Sequence, residues 1–316
     1  MHDFLNNIVS FHKSLIVGFA LAATCSLLSV FVVLRRMAMI SEAVAHAGIG
    51  GIAVALLAGY FFPATDGPVM QQIITGIFCL GTALAIGYVT RTRRVTEDSA
   101  IGIFLVASMA LGILLLSVRS KFPVLSGQTR PASIESVLFG DLISVTTTDM
   151  WIAIVATVVV FGLVIALYNE FLYTTLDEQM ARINGVNTRL INTLQLAMIS
   201  LVIVVGVRMV GALMITAMTI LPGATACMIS RRFNGVLVGS LLVGILGIGG
   251  ALLLAINPPL SSYTSGPVLV LTLFLIFVVV WGIRHIFKPK IEYETVVGGH
   301  ADEHDHEHEN EHSQLH

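Results

Sequence analysis

Charge is what this chain has least of. Only 11% of its 316 residues are Asp, Glu, Lys or Arg, against 56% hydrophobic, and the mean hydropathy is +0.89. Soluble domains carry about 25% charged residues, so an ordinary cytosolic enzyme is excluded. Cysteine is scarce too. Cys25, Cys79 and Cys227 all fall inside apolar runs, which reads as small hydrophobic packing rather than a disulfide framework. Motifs for chemistry are missing as well: there is no G-x-x-x-x-G-K-[ST] loop, which excludes that mode of ATP binding, no H-E-x-x-H and no G-x-S-x-G. Met1 to Lys13 lacks the basic start and short apolar core of a signal peptide, so the first apolar run is expected to be retained.

What is present is apolar length. Uncharged or nearly uncharged stretches recur near 14–34, 43–65, 67–90, 99–118, 150–169, 190–207 and 209–230. A bilayer takes about 20 residues of helix, so each can cross. Beyond Arg231 and Arg232 runs a 51-residue stretch without charge, too long for one crossing. Asn257-Pro258-Pro259 and the Ser, Thr, Gly and Pro residues up to Pro267 divide it into spans near 233–256 and 266–283. The pattern predicts an all-α integral membrane protein of about nine transmembrane helices, with eight to ten compatible. Nine crossings put the termini on opposite sides, and basic loops mark the cytoplasmic one. A C-terminus inside assigns Arg35, Arg36, Arg91, Arg93, Arg94, Arg182, Arg189, Arg231, Arg232, Arg284, Lys288 and Lys290 to the cytoplasm, twelve of 17 basic residues. Arg119, Lys121 and Arg130 then fall outside, next to Ile134 to Leu142, which reads as a short re-entrant piece.

Two segments do not belong in lipid. Between Leu172 and Arg189, the residues Leu172, Leu176, Met180, Ile183 and Val186 are spaced by four or three, with Asp177, Glu178 and Arg182 elsewhere around the helix. A short amphipathic helix near 172–187, ended by Gly185, fits that spacing. It either lies in the headgroups or docks another protein. The other segment is the tail. Residues 1–290 read as the transmembrane domain and 291–316 as an acidic, His-rich cytoplasmic extension with nothing apolar to fold it, hence disordered. His300, His304, His306, His308, His312 and His316 stand there among six carboxylates, whereas residues 1–299 hold 17 basic and 13 acidic side chains. Imidazole and carboxylate suit borderline divalent metals, so the tail either buffers metal or is an accidental low-complexity segment.

Inside the spans ionisable groups are almost absent, which makes Glu42 and His46 informative. Four residues apart, they share one helix face. The adjacent row Ala43, Ala47, Gly51 and Ala55 is uniformly small, which lets another helix approach closely. A charge at mid-membrane costs about 2.5–3.5 kcal/mol on insertion scales, so such groups usually mark a pathway. The structural alternative is that Glu42 complements the helix dipole and His46 is a satisfied polar contact. Span seven contains Gly211, Pro222 and Gly223, either a plain kink or an interrupted helix lining a cavity.

At these residues the sequence resembles the permease subunits of the manganese/zinc/iron ABC importers, members of the type II group that includes vitamin B12 and siderophore permeases. Arg35-Arg36-Met37-Ala38 leads into Ser41-Glu42-Ala43-Val44-Ala45-His46-Ala47-Gly48, similar to the family's Asp-Ala-x-Ser-His segment. Glu97-Asp98-Ser99-Ala100-Ile101-Gly102, Leu138-Phe139-Gly140-Asp141, Val210-Gly211-Ala212-Leu213 with Leu221-Pro222-Gly223-Ala224-Thr225-Ala226, and Ser265-Gly266-Pro267 also match in order.

The resemblance implies that Glu42 and His46 are metal contacts in a translocation path. It makes Leu176, Asp177, Glu178, Met180, Ala181, Arg182 and Gly185 part of a coupling helix seated in an ATPase groove, and gives Gly211, Pro222 and Gly223 a structural or gating role. It implies a homodimer in a prokaryotic plasma membrane, which the basic-loop count orients with the N-terminus outside, with a cytoplasmic ABC ATPase dimer and an extracytoplasmic metal-binding protein. The chain would be no enzyme and would keep no cofactor, since Mn, Zn or Fe is cargo. Two symmetry-related copies of Glu42 and His46 would supply up to four ligands. The rival reading is a gradient-driven secondary carrier using the pair as a proton relay, for which inverted repeats are expected and none is evident. A membrane sensor built on the tail is a third.

Overall fold

The computed structural model describes residues 2–62, 67–91, 96–122, 134–140, 145–230, 232–256 and 265–286. Every regular element among them is helical: α1 (His2–Leu34), α2 (Ala38–Phe61), α3 (Pro68–Arg91), α4 (Glu97–Ser120), α5 (Ile134–Phe139), α6 (Thr147–Ala166), α7 (Tyr168–Leu176), α8 (Glu178–Ile183), α9 (Thr188–Met209), α10 (Ala212–Ile229), α11 (Phe233–Ile256) and α12 (Ser265–Ile286). Nine of these are long and apolar enough to cross a membrane, and each overlaps one expected span. The second starts at Ala38 rather than near 43. A charge such as Glu42 ends an apolar run but not a helix; the start is set by the turn before it, where Arg36 takes φ +56.

The helices differ in how much of themselves they bury. In α1, α2 and α9, 72%, 61% and 67% of the span's most apolar stretch lies inside the bundle, against 22% in α3 and in α4. The first three form the interior, and α1 packs on α6, α10 and α11 while α2 packs on α3, α4, α9 and α10. The small row on α2 does what its spacing requires. Ala43, Ala47, Gly51 and Ala55 are all buried, and a Cβ on Gly51 would stand 3.0 Å from the Thr75 Cα of α3. On α4, a Cβ on Gly112 would lie 2.9 Å from the Gly50 nitrogen. Backbone meets backbone across both seams, which only small residues allow.

Local polar chemistry fixes the helix starts. Thr146 and Asp149 form a capping box at α6, Asn187 accepts from the Leu190 amide at α9, and Thr96 accepts from the Ser99 amide at α4. Of the segment Ile134 to Leu142, expected as a re-entrant piece, the described part forms the short helix α5, packed against α9 and α10.

Packing divides the chain into Met1–Trp281 and Gly282–His316. Of the second unit only 282–286, the last residues of α12, are described. The expected boundary after residue 290 and the tail histidines His300, His304, His306, His308, His312 and His316 lie outside the described residues.

Candidate functional site

Glu42 and His46 occupy the second and third turns of α2. From Ile40 to Gly51 the helix is buried at every position except these two, which are half-buried. Along this stretch packing leaves two positions partly accessible, and they carry an acid and an imidazole. Neighbours close the other faces. The Cys79 thiol of α3 lies 3.8 Å from the Val44 carbonyl, a Cβ on Gly48 would meet Val207 of α9 at 3.2 Å, and the Ser41 and Thr219 hydroxyls sit 3.3 Å apart across α2 and α10. The His46 Nδ1 is buried without a hydrogen-bond partner among the described residues. An unsatisfied buried polar atom costs about 1–3 kcal/mol, so a ligand reaching that nitrogen is favoured. Among the described residues no three His, Cys, Asp or Glu side chains gather into a metal site. Among the described residues one chain thus offers one carboxylate and one imidazole here.

The residues expected to bend span seven, Gly211, Pro222 and Gly223, are all buried, Gly223 against Ser29 of α1 and Gly211 against the end of α5. Pro222, inside α10, has no N–H to donate. Ser29 of α1 binds the backbone around it. Its Oγ accepts from the Gly223 N–H at 2.7 Å, and its hydroxyl donates to the Ile220 carbonyl at 3.2 Å. Gly211 opens α10 with φ +94, and a Cβ there would fall 2.5 Å from the Gly140 nitrogen. Gly140, φ +63, follows the last residue of α5. Here two left-handed glycines touch through their backbones, at a point no other residue could occupy without strain.

The segment expected as one helix near 172–187 is two. Asp177 leaves helical geometry at φ −151, ψ 104, ending α7 and capping α8: the Gln179 and Met180 amides donate to its Oδ1 at 2.9 and 3.0 Å. Periodicity misses this break because Asp is compatible with a helix interior on spacing alone, while its short carboxylate competes for backbone N–H groups. At the other end Gly185, φ +80, gives the Val186 amide to Ala181 O and its own to Arg182 O, a Schellman close. Leu176, Met180 and Ile183 are exposed while Ala181 is buried. Glu178 and Arg182 form an ion pair at 2.7 Å.

Residues 7–283 match the family described as the ABC 3 transport family. The chain belongs to the ABC 3 transport family. It is 30% identical over 266 residues to the manganese transport system membrane protein MntC of Halalkalibacterium halodurans, covering 84% of this chain and 83% of that one. It is 27% identical over 296 residues to the manganese import system permease protein ScaB of Streptococcus gordonii, covering 93% and 98%. Its fold is that of PsaBC from Streptococcus pneumoniae in complex with Fab: the TM-score is 0.72 at 24% identity, over 89% of this chain and 95% of that one. As an ABC permease it is the membrane subunit, and hydrolysis of ATP belongs to a separate chain.

In this ABC 3 chain three of the resembling segments converge. Leu138-Phe139-Gly140 and Val210-Gly211-Ala212 meet at the glycine pair, and a Cβ on Gly266, from Ser265-Gly266-Pro267, would lie 2.7 Å from Phe139 O. Asp141 falls outside the described residues. The spacing gave no sign of several other polar contacts. Arg119 is 1% exposed, with its guanidinium 4.9 Å from the centre of the Tyr60 ring. Arg208 stands 3.7 Å from Asp149 and donates to Pro68 O. Ser29 carried no signal either, since an isolated serine in an apolar span is common.

Proposed function

We propose that this permease forms the path of an ATP-driven importer of divalent transition metal, with manganese the cargo, and that Glu42 and His46 are its transient ligands. The observation that carries the reading is that the two positions on this face of α2 not sealed by packing are an oxygen donor and a nitrogen donor. A mixed O and N site without thiolate suits Mn(II), Fe(II) or Zn(II) over Na⁺ or K⁺. The names of the relatives favour manganese among them. Two donors are too few to replace a hydration shell, so the path is completed by a second copy of the chain about a two-fold axis. Two carboxylates brought to about 4 Å would repel by about 4 kcal/mol at an effective dielectric of about 20, which a divalent ion reverses. Such a site binds strongly enough to strip water and loosely enough to release it.

An ATPase dimer docks on the exposed apolar residues of α7 and α8 at the cytoplasmic face, with the C-terminus on that side and an extracytoplasmic metal-binding protein on the other. Gly211, Pro222 and Gly223 position α10 beside the path. Uptake of ⁵⁴Mn by proteoliposomes holding permease and ATPase tests the reading. Uptake should require ATP and vanish in His46→Ala while the subunits still co-purify. Uptake on a proton gradient without nucleotide, or wild-type uptake by His46→Ala, would overturn it.

A further inference from the structure

A polar stripe on α9 has no place in the metal path. Thr188, Asn192 and Gln195 are spaced by four and three, on one helix face, and Thr188 and Gln195 are 3% and 0% exposed. Buried polar side chains in an apolar bundle need partners. At one end Arg182 of α8 donates from Nε to the Thr188 hydroxyl at 3.1 Å. At the other, the two terminal nitrogens of Arg35 donate to the Gln195 Oε1 and the Asn192 Oδ1. The forked guanidinium holds two acceptors at once, which fixes direction as well as distance. The stripe thus ties α8 to the residue that follows α1.

Arg35 sits at a mechanically singular place. The next residue, Arg36, holds φ +56, and Met37 closes the turn by donating to Val32 O at 2.8 Å. From Met37 the chain runs directly into Ser41, Glu42 and His46. Only Arg36, in the left-handed region, and Met37 separate the clamped Arg35 from the helix that carries both candidate ligands, so a small displacement of the clamp is delivered to the first turns of α2 rather than absorbed along a loop. The Glu178 carboxylate of α8 also acts on Arg35 through space: hydrogen bonding from Arg182, with Coulombic attraction from Arg182 and Arg35, holds it below the usual carboxylate range.

We propose that Arg35 is a positioning residue that passes movement of the α7–α8 segment, through Thr188, Asn192 and Gln195 of α9, to the Glu42 and His46 end of α2. The inference rests on the importer reading, in which an ATPase moves α8. Arg35 touches neither cargo nor ATPase, and its removal uncouples the two.

The test is the amount of Mn(II) moved per ATP hydrolysed by the full permease–ATPase assembly in proteoliposomes. A merely structural role lowers both rates together and leaves the ratio alone. In Arg35→Gln the ratio should fall by about tenfold with basal hydrolysis little changed, within the usual range of coupling between sites. Arg35→Lys keeps the charge without the fork and should fall in between. Asn192→Leu and Gln195→Met leave the charge in place, remove one acceptor each, and carry the same test if Arg35→Gln does not assemble. A wild-type ratio in these variants, or parallel loss of uptake and hydrolysis, overturns the transmission role while leaving the importer reading intact. A wild-type assembly that moves Mn(II) without ATP overturns both.

Discussion

Single side chains in this protein act mainly by answering the backbone. Ser29 illustrates the scale of that effect. Its hydroxyl serves the Gly223 amide and the Ile220 carbonyl beside Pro222, and no water is at hand in a bilayer interior to replace it. Ser29→Ala should therefore destabilise the permease by about 1–3 kcal/mol, read as a lower melting temperature in detergent, whereas Ser29→Cys should lose less. Glu42 and His46 were legible in the sequence because a charge inside an apolar run is costly and rare. Ser29, Thr219 and Gln195 were not, because a hydroxyl or amide in a span is cheap enough to be common, and its importance depends on which backbone or guanidinium happens to stand opposite.

At the scale of the element, length and apolarity predicted the nine long helices, and short pieces were harder. The segment after α6 shows why. Its apolar spacing is continuous, but Asp177 breaks it into α7 and α8 by taking two amides for itself, a local competition that periodicity does not weigh. The ion pair that stiffens α8 has a definite pH behaviour. The Arg182 hydrogen bond, then the charges of Arg182 and Arg35, outweigh burial and hold the Glu178 carboxyl below its ordinary value of 4.5. A carboxyl lowered by folding contributes above its unfolded pKa and loses that contribution as pH falls through the folded one. The pair should thus persist through about pH 4.5 and break only in more acidic solution, which a ¹³C titration of the Glu178 carboxyl would follow. Glu178 is 41% exposed, so solvent screening limits its worth to under about 1 kcal/mol.

For the whole molecule, the interior is carried by α1, α2 and α9, and the two ends of the bundle are held differently. One end has the clamp of Arg35 on α9, the other the junction of Gly140, Gly211 and Gly266 with the Asp149 and Arg208 pair nearby in sequence. All the residues named at both ends precede Gly282. Deleting Gly299 to His316 should accordingly leave ATP-dependent Mn(II) uptake intact and alter only its regulation or metal retention. Transport assays on the truncated assembly check this, and complete loss of uptake would give the tail a part in the path.

Composition and the lengths of the uncharged runs were enough to determine that this chain is a bundle of about nine membrane helices, because the bilayer sets a minimum apolar length that no soluble fold demands. The same reading singled out Glu42 and His46, since ionised groups in such runs are expensive. The tertiary structure decided which positions of α2 are buried and which stay partly accessible, which glycines touch, and that Arg35 is bound to α9. Those outcomes depend on which helix packs against which, over separations such as that between residues 35 and 195, and periodicity along one helix carries no information about its neighbour.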